Sequence, residues 1–148
     1  VMHPDIELQA ERLAGSLAQA SRASAALVDD IFAASPRLMT LHAMGKTERI
    51  DRLVNIEGWT EAAIDLIALD APGWSVKRLY HDDGEWLCTL SRLPEIPDWL
   101  DDSAEGRHPV LALAILEALL EARARTVATP PPISLKLAGV ATDCTNYR

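Results

Sequence analysis

The sequence predicts an α+β fold with helices in the N-terminal half, a central β-hairpin (a small antiparallel sheet), a C-terminal apolar helix and an extended C-terminal arm. Apolar residues recur at helical spacing before Ala71, two alternating segments flank an Asp-Asp-Gly turn, and a long apolar run follows Pro109. The length of 148 residues fits one domain with enough chain for a core. We expect residues 1–127 to form this domain and residues 128–148 to form the arm.

The segment from Asp5 to about Ala34 predicts one long helix, because it is rich in good helix formers and contains no proline. Small and apolar residues follow a four-three spacing along it, as in a coiled-coil seam: Ile6, Ala10, Leu13, Leu17, Ala20, Ser24, Leu27 and Ile31. This stripe can pair with a helix of another subunit, which would make residues 1–45 a helical oligomerisation arm. It can equally pack on the chain's own domain.

Capping residues, proline and glycine divide the next stretch into shorter helices. Ser35 can cap a helix that starts at Pro36, and Gly58 can close the helix that follows Thr47. The predicted segments are Pro36 to about Gly45, Thr47 to Gly58, and Glu61 to about Ala71 after Thr60.

A hairpin is predicted between Trp74 and Arg92, because Trp86, Cys88 and Leu90 alternate on one face of its second strand. The Asp-Gly step between the strands favours a short turn. An isolated hairpin is marginally stable, so a helix must cover one face. The helix from Pro109 to Arg125 suits this role, because it is apolar around most of its circumference. Its apolar run is too short to span a bilayer.

Composition excludes some partners. Twenty-two acidic residues against fourteen basic ones give a net charge of −8, which makes nucleic-acid or anionic-membrane binding unfavourable. Cys88 and Cys144 have neither a metal-site spacing nor a disulfide framework, and Cys88 in a strand is expected to be a packed thiol. The N-terminal segment does not resemble a secretory signal, so a cytoplasmic location is expected.

The stretch from Leu93 to Arg107 is predicted as a long acidic loop that contains the candidates for a metal site. Asp101, Asp102, Glu105 and His108 could present carboxylate oxygens and one imidazole to a divalent cation. The Glu-x-x-His spacing occurs in di-iron helices, but such sites need two of these motifs. The alternative is a solvated loop that caps a helix. No residue is assigned a catalytic or cofactor-binding role, and no cofactor is expected.

One segment resembles a known family. Asp83, Gly84, Trp86, Pro94 and Gly106 lie in a strand, a proline-containing loop and a glycine-led helix, and residues 82–122 resemble this part of HicB-like antitoxin proteins. The resemblance implies a role in neutralising a small toxin. Small bacterial proteins of α+β type fit the chain equally well.

The functional hypothesis is a small, soluble, non-enzymatic protein-interaction or regulatory module that self-associates, most simply as a dimer, and has a possible protein partner. A metal-assisted enzyme using the acidic loop at 98–108 and an antitoxin-like partner of a small toxin are the alternatives. No catalytic motif is recognised, which favours a protein without enzymatic activity. The C-terminal arm, in which Ile133, Leu135 and Leu137 alternate with polar residues, is expected to add a strand to a neighbouring subunit.

Overall fold

A computed structural model describes residues 4–92 and 102–128 and confirms the α+β class. The predicted arm from residue 129 onward and most of the predicted acidic loop lie outside the described residues. The elements, in chain order, are α1 (Pro4–Gln19), α2 (Ala25–Ala33), α3 (Pro36–Ala43), α4 (Glu48–Asn55), α5 (Trp59–Asp70), β1 (Ser75–Asp82), β2 (Glu85–Ser91), β3 (Ser103–His108) and α6 (Leu111–Ala128). Within these ranges no helix is both long and apolar enough to cross a membrane.

The single N-terminal helix that we predicted is wrong, because the chain forms two helices there, α1 and α2. Ser24 takes an extended conformation and its hydroxyl accepts a hydrogen bond from the backbone N–H of Leu27 at 3.3 Å. A serine in this capping arrangement offers the backbone an alternative to continuing the helix. The larger members of the predicted seam are buried in the core of their own domain: Leu13, Leu17, Leu27 and Ile31. The stripe therefore packs on its own domain.

The three short helices occur where the sequence predicts them, with two differences at their ends. Ser35 caps α3 as expected, its hydroxyl accepting the Leu38 N–H at 3.1 Å. Glu57 rather than Gly58 takes the left-handed conformation after α4, with φ of 59°. Gly58 instead lies immediately before α5 and close to the Leu53 side chain. A Cβ atom added at Gly58 would lie 3.3 Å from Leu53 Cδ2.

The hairpin is present, and β1 and β2 are antiparallel. Asp83 and Gly84 connect them with φ values of 53° and 81°, which is the backbone requirement of a two-residue type I′ turn. Asp82 and Glu85 face each other across this turn. The register shifts between Val76 and Arg78, so a bulge interrupts β1 near its start.

A third strand, β3, was not predicted; its residues were assigned to the loop and the approach to the last helix. It pairs antiparallel with β2 and makes the sheet order β1-β2-β3. Its sequence, Ser-Ala-Glu-Gly-Arg-His, lacks the β-branched and aromatic residues that mark strands. The small residues Ala104 and Gly106 are nevertheless buried against α6. Tertiary packing therefore determines this strand.

Helix α6 covers one face of the sheet and also contacts α1 and α5, as its apolar circumference predicts. Its buried residues run without a gap from Ala112 to Leu116 and continue with Ala118, Leu119 and Ala122. The approach to β3 is closest at Gly106, where a Cβ atom would lie 2.1 Å from the Ala114 carbonyl oxygen and 2.4 Å from the Ala118 nitrogen. Only glycine fits there without displacing backbone.

A buried ion pair fixes the other end of α6. Asp70, at the end of α5, accepts a hydrogen bond from Arg123 Nε at 2.7 Å and from the Ser35 hydroxyl at 2.7 Å. The Arg123 side chain is mostly buried, and its Nη2 also lies 3.5 Å from the Ile31 carbonyl oxygen. Because Asp70 and Arg123 are both withdrawn from water, removing one would leave the other's charge uncompensated. This network joins α2, α3, α5 and α6.

Substitution of Gly106 tests the close contact between β3 and α6. We expect Gly106→Ala to lower the free energy of unfolding by about 3 kcal/mol or more, because the new methyl group collides with helix backbone that cannot rotate away. Gly15→Ala is the matched control: Gly15 lies inside α1 with no atom near an added Cβ. It should gain roughly 0.5–1 kcal/mol from helix propensity. Urea unfolding of both variants measures the difference, and equal stability of Gly106→Ala and wild type would contradict the packing.

Candidate functional site

The four predicted metal-site residues do not form a cluster as far as the structure describes them. Asp102 pairs with Arg125, with 2.8 Å between its Oδ1 and Nη1. Glu105 is exposed and His108 is buried, because residues three apart on a strand point to opposite faces. Asp101 lies outside the described residues, so the set of four stays a prediction. Among residues 4–92 and 102–128, no three His, Cys, Asp or Glu side chains could hold one ion together.

His108 has a structural role at the entrance to α6. Its Nδ1 accepts the backbone N–H of Val110 at 2.9 Å, which places the ring proton of the neutral imidazole on Nε2. That Nε2 is buried and has no hydrogen-bond partner among the described residues. The ring therefore closes the turn between β3 and α6.

Cys88 is fully buried, and burial raises the pKa of its thiol to about 11. The nucleophilic form of cysteine is the thiolate, so this side chain is a protonated, packed group at neutral pH. The structure thus agrees with the expectation of a packed thiol.

Two open clefts lie on the helical side. One, of about 420 Å³, is formed by α2, α3 and α4 and contains Phe32, Met39, His42 and Asp51. Nδ1 of the His42 ring lies within hydrogen-bond distance of the Thr47 hydroxyl oxygen, at 2.8 Å. The other, of about 590 Å³, lies where α2, α5 and α6 begin and contains Arg22 and Trp59. Neither cleft shows a hydrogen-bonded pair of titratable side chains among the described residues, so neither shows an assembled acid–base site.

The outer strand β1 presents the densest group of exposed apolar side chains in the described chain. Val76, Leu79 and Tyr80 are 38%, 37% and 43% exposed, whereas the other large exposed apolar residues are scattered over three helices and two helix ends. Val76 and Leu79 pair with Leu90 and Cys88 and so belong to the face that α6 covers over β2 and β3. The covered face continues onto β1 as an exposed border.

The backbone of β1 lies at an edge of the described sheet. In the sheet of the described residues β1 is an edge and pairs with β2 only. An edge strand carries a row of backbone N–H and C=O groups that can accept a further strand. Short edges, bulges and charged residues normally limit such pairing. β1 has a bulge and two basic residues near its start, whereas Leu79, Tyr80 and His81 follow them without either protection.

The sequence of β1 contains a signal for an edge strand. In β1, charged and apolar residues occur on both faces, whereas β2 has buried residues on both. A strand with no clean alternation is poorly buried on both sides, which is typical of a strand at an edge. The outer edge of β1 is therefore the candidate interaction surface of this protein, which we call the β1 edge (Ser75–Asp82).

Glu117 on α6 gives a pH-dependent test of the packing behind the sheet. Burial raises the pKa of its carboxyl group, and the Arg107 N–H that donates to Oε1 at 3.4 Å only partly offsets this. A raised pKa in the folded protein means that folding favours the protonated acid. Stability from this group is then present below the unfolded pKa of about 4.3 and is lost as pH rises through the folded pKa.

We therefore expect Glu117→Gln to unfold at higher urea concentration than wild type at pH 7, with the difference shrinking as pH falls below about 4. Glutamine keeps the acceptor for Arg107 but carries no charge to desolvate. Glu11→Gln on the exposed side of α1 is the control and should follow wild type at every pH. If the stability of wild type and of Glu117→Gln depended on pH in the same way, the raised pKa of Glu117 would be contradicted.

Comparison of the chain with protein-family models, with curated proteins and with solved structures gives no match. The resemblance of residues 82–122 to HicB-like antitoxins therefore stays a prediction.

Proposed function

We propose that this protein is a non-enzymatic interaction or regulatory module that self-associates through its sheet edge. The observation that carries the proposal is the β1 edge, where the outer strand of the described sheet pairs with β2 on one side and exposes Val76, Leu79 and Tyr80. Strand addition supplies affinity through main-chain hydrogen bonds, and neighbouring side chains supply specificity.

The N-terminal stripe, which the sequence offers for helix pairing between subunits, is buried in the core of its own domain. A surface that is buried in the core cannot also bind a second chain. The exposed apolar residues of β1 support the sheet edge as the surface for self-association instead.

Self-association would also cover the same β1 edge on both copies at once. A closed two-fold dimer uses the same patch on both subunits, so the β1 edge of one copy is covered by the β1 edge of the other. The predicted C-terminal arm, residues 128–148, is the competing occupant, because it is expected to add a strand to a neighbour.

Sedimentation velocity over roughly 1–100 micromolar tests the proposal, since association by mass action must depend on concentration. We expect wild type to gain mass with concentration. Leu79→Lys should raise the dissociation constant about tenfold or more, because a lysine on an edge strand blocks pairing. Ile64→Lys is the control: Ile64 on α5 is 43% exposed, much as Leu79 is, and the substitution changes the net charge equally. It should associate as wild type does.

A wild-type chain that stays monomeric over the whole range would overturn the proposal. Association that is insensitive to Leu79→Lys but is lost on deleting residues 128–148 would assign the interface to the arm instead of the β1 edge.

A further inference from the structure

We infer that two copies of the chain join β1 to β1 in antiparallel fashion about a two-fold axis at Tyr80, so that the two three-stranded sheets become one continuous sheet. This inference rests on the proposed self-association and specifies its partner and its register. Bulge, turn and charge each restrict where the second strand can lie.

The bulge limits the length of edge that can pair. Regular pairing of β1 with β2 is broken between Val76 and Arg78 and is continuous from Arg78 to Asp82. A bulge bends its strand and disturbs the regular spacing of backbone groups. The usable edge is therefore the five-residue segment Arg78–Asp82, and Tyr80 is its centre.

The turn determines which backbone groups point outward. Asp82 and Glu85 close a two-residue turn, so this pair exchanges both hydrogen bonds within the hairpin. Because bonded and non-bonded positions alternate along an antiparallel pair, Tyr80 also bonds to β2. The N–H and C=O groups of Leu79 and His81 then face away from β2, at the outer edge of the described sheet, where a further strand can pair with them.

Only one register uses both outward positions of both copies. With the axis at Tyr80, Leu79 of one copy pairs with His81 of the other, and the reverse pair forms on the far side of the axis. Moving the axis to Leu79 would pair His81 with Lys77 at the bulge. Moving it to His81 would pair Leu79 with Asp83 in the turn. Both shifts lose one of the two hydrogen-bonded pairs.

The same register brings opposite charges together. Arg78 stands opposite Asp82 of the second copy, and the two-fold axis repeats this pair. Beyond them, Lys77 approaches Asp83. Opposite charges directly across two strands stabilise pairing, and like charges oppose it. The edge thus has a basic end and an acidic end, which matches an antiparallel copy of itself.

Charge reversal tests this register with variants that complement each other. Arg78→Asp alone places two carboxylates opposite each other at both ends of the interface, and Asp82→Arg alone places two guanidinium groups there. Each variant should associate at least tenfold more weakly than wild type. An equimolar mixture should restore association to within a few-fold of wild type, because each mixed pair again joins a base to an acid. Circular dichroism verifies that both variants are folded.

A disulfide provides a second measurement that does not depend on charge. In this register Tyr80 lies opposite Tyr80 of the second copy, at a non-hydrogen-bonded position of the antiparallel pair. The two Cα atoms at such a position are about 4.5 Å apart, within the range that a disulfide can bridge. Tyr80→Cys in a Cys144→Ser background should form a cross-linked dimer under mild oxidation. Arg78→Cys is the control, since two copies of position 78 would be roughly 13 Å apart, beyond the reach of a disulfide. It should remain uncross-linked.

The outcomes separate this inference from the proposed function. If wild type associates but the mixture of charge variants does not recover, or Tyr80→Cys cross-links no faster than Arg78→Cys, the register is wrong and self-association stands. If wild type is monomeric throughout, both proposals fail. Recovery in the mixture together with selective cross-linking at position 80 supports both.

Discussion

The close approach of α6 to β3 at Gly106 is the contact on which the rest of the structure depends. A strand can lie against helix backbone only where a side chain is missing, and a Cβ at position 106 would overlap the Ala114 carbonyl oxygen. This approach seats the apolar α6 on the sheet and turns β3 from a polar stretch into a strand. The opposite side of α6 is then open to α1 and α5, which complete its burial.

The Asp70–Arg123 ion pair helps to determine the orientation in which the helices pack. Apolar surfaces attract one another without specifying an angle, whereas a buried carboxylate must meet its guanidinium at hydrogen-bond distance. Because Asp70 also accepts the Ser35 hydroxyl, the start of α3 and the end of α5 are both held against the last turns of α6. The helical half of the domain is thereby joined to α6, the helix that covers the sheet, through one polar network.

The placement of α6 also accounts for the exposed edge. The helix covers β2 and β3, so Val76 and Leu79 on β1 stay exposed although they belong to the same sheet face. The surface proposed for self-association is thus a direct consequence of where one helix lies.

Local chemistry in the sequence determined the features that depend on a few neighbouring residues. Ser35-Pro36 specified a helix start, Asp83-Gly84 specified a hairpin turn, and the apolar run after Pro109 specified a buried helix. Each is decided by backbone preferences or burial that hold in any context.

Tertiary structure alone decided where contacts between distant residues outweigh local preference. Six weakly strand-forming residues become β3 because α6 and β2 pack against their small side chains. The candidate metal spacing shows the same point: Glu105 and His108 would share a face on a helix but lie on opposite faces of a strand. Likewise, the sequence contains β1, but only the sheet order makes it an edge, since neighbours in a sheet are chosen by the whole fold.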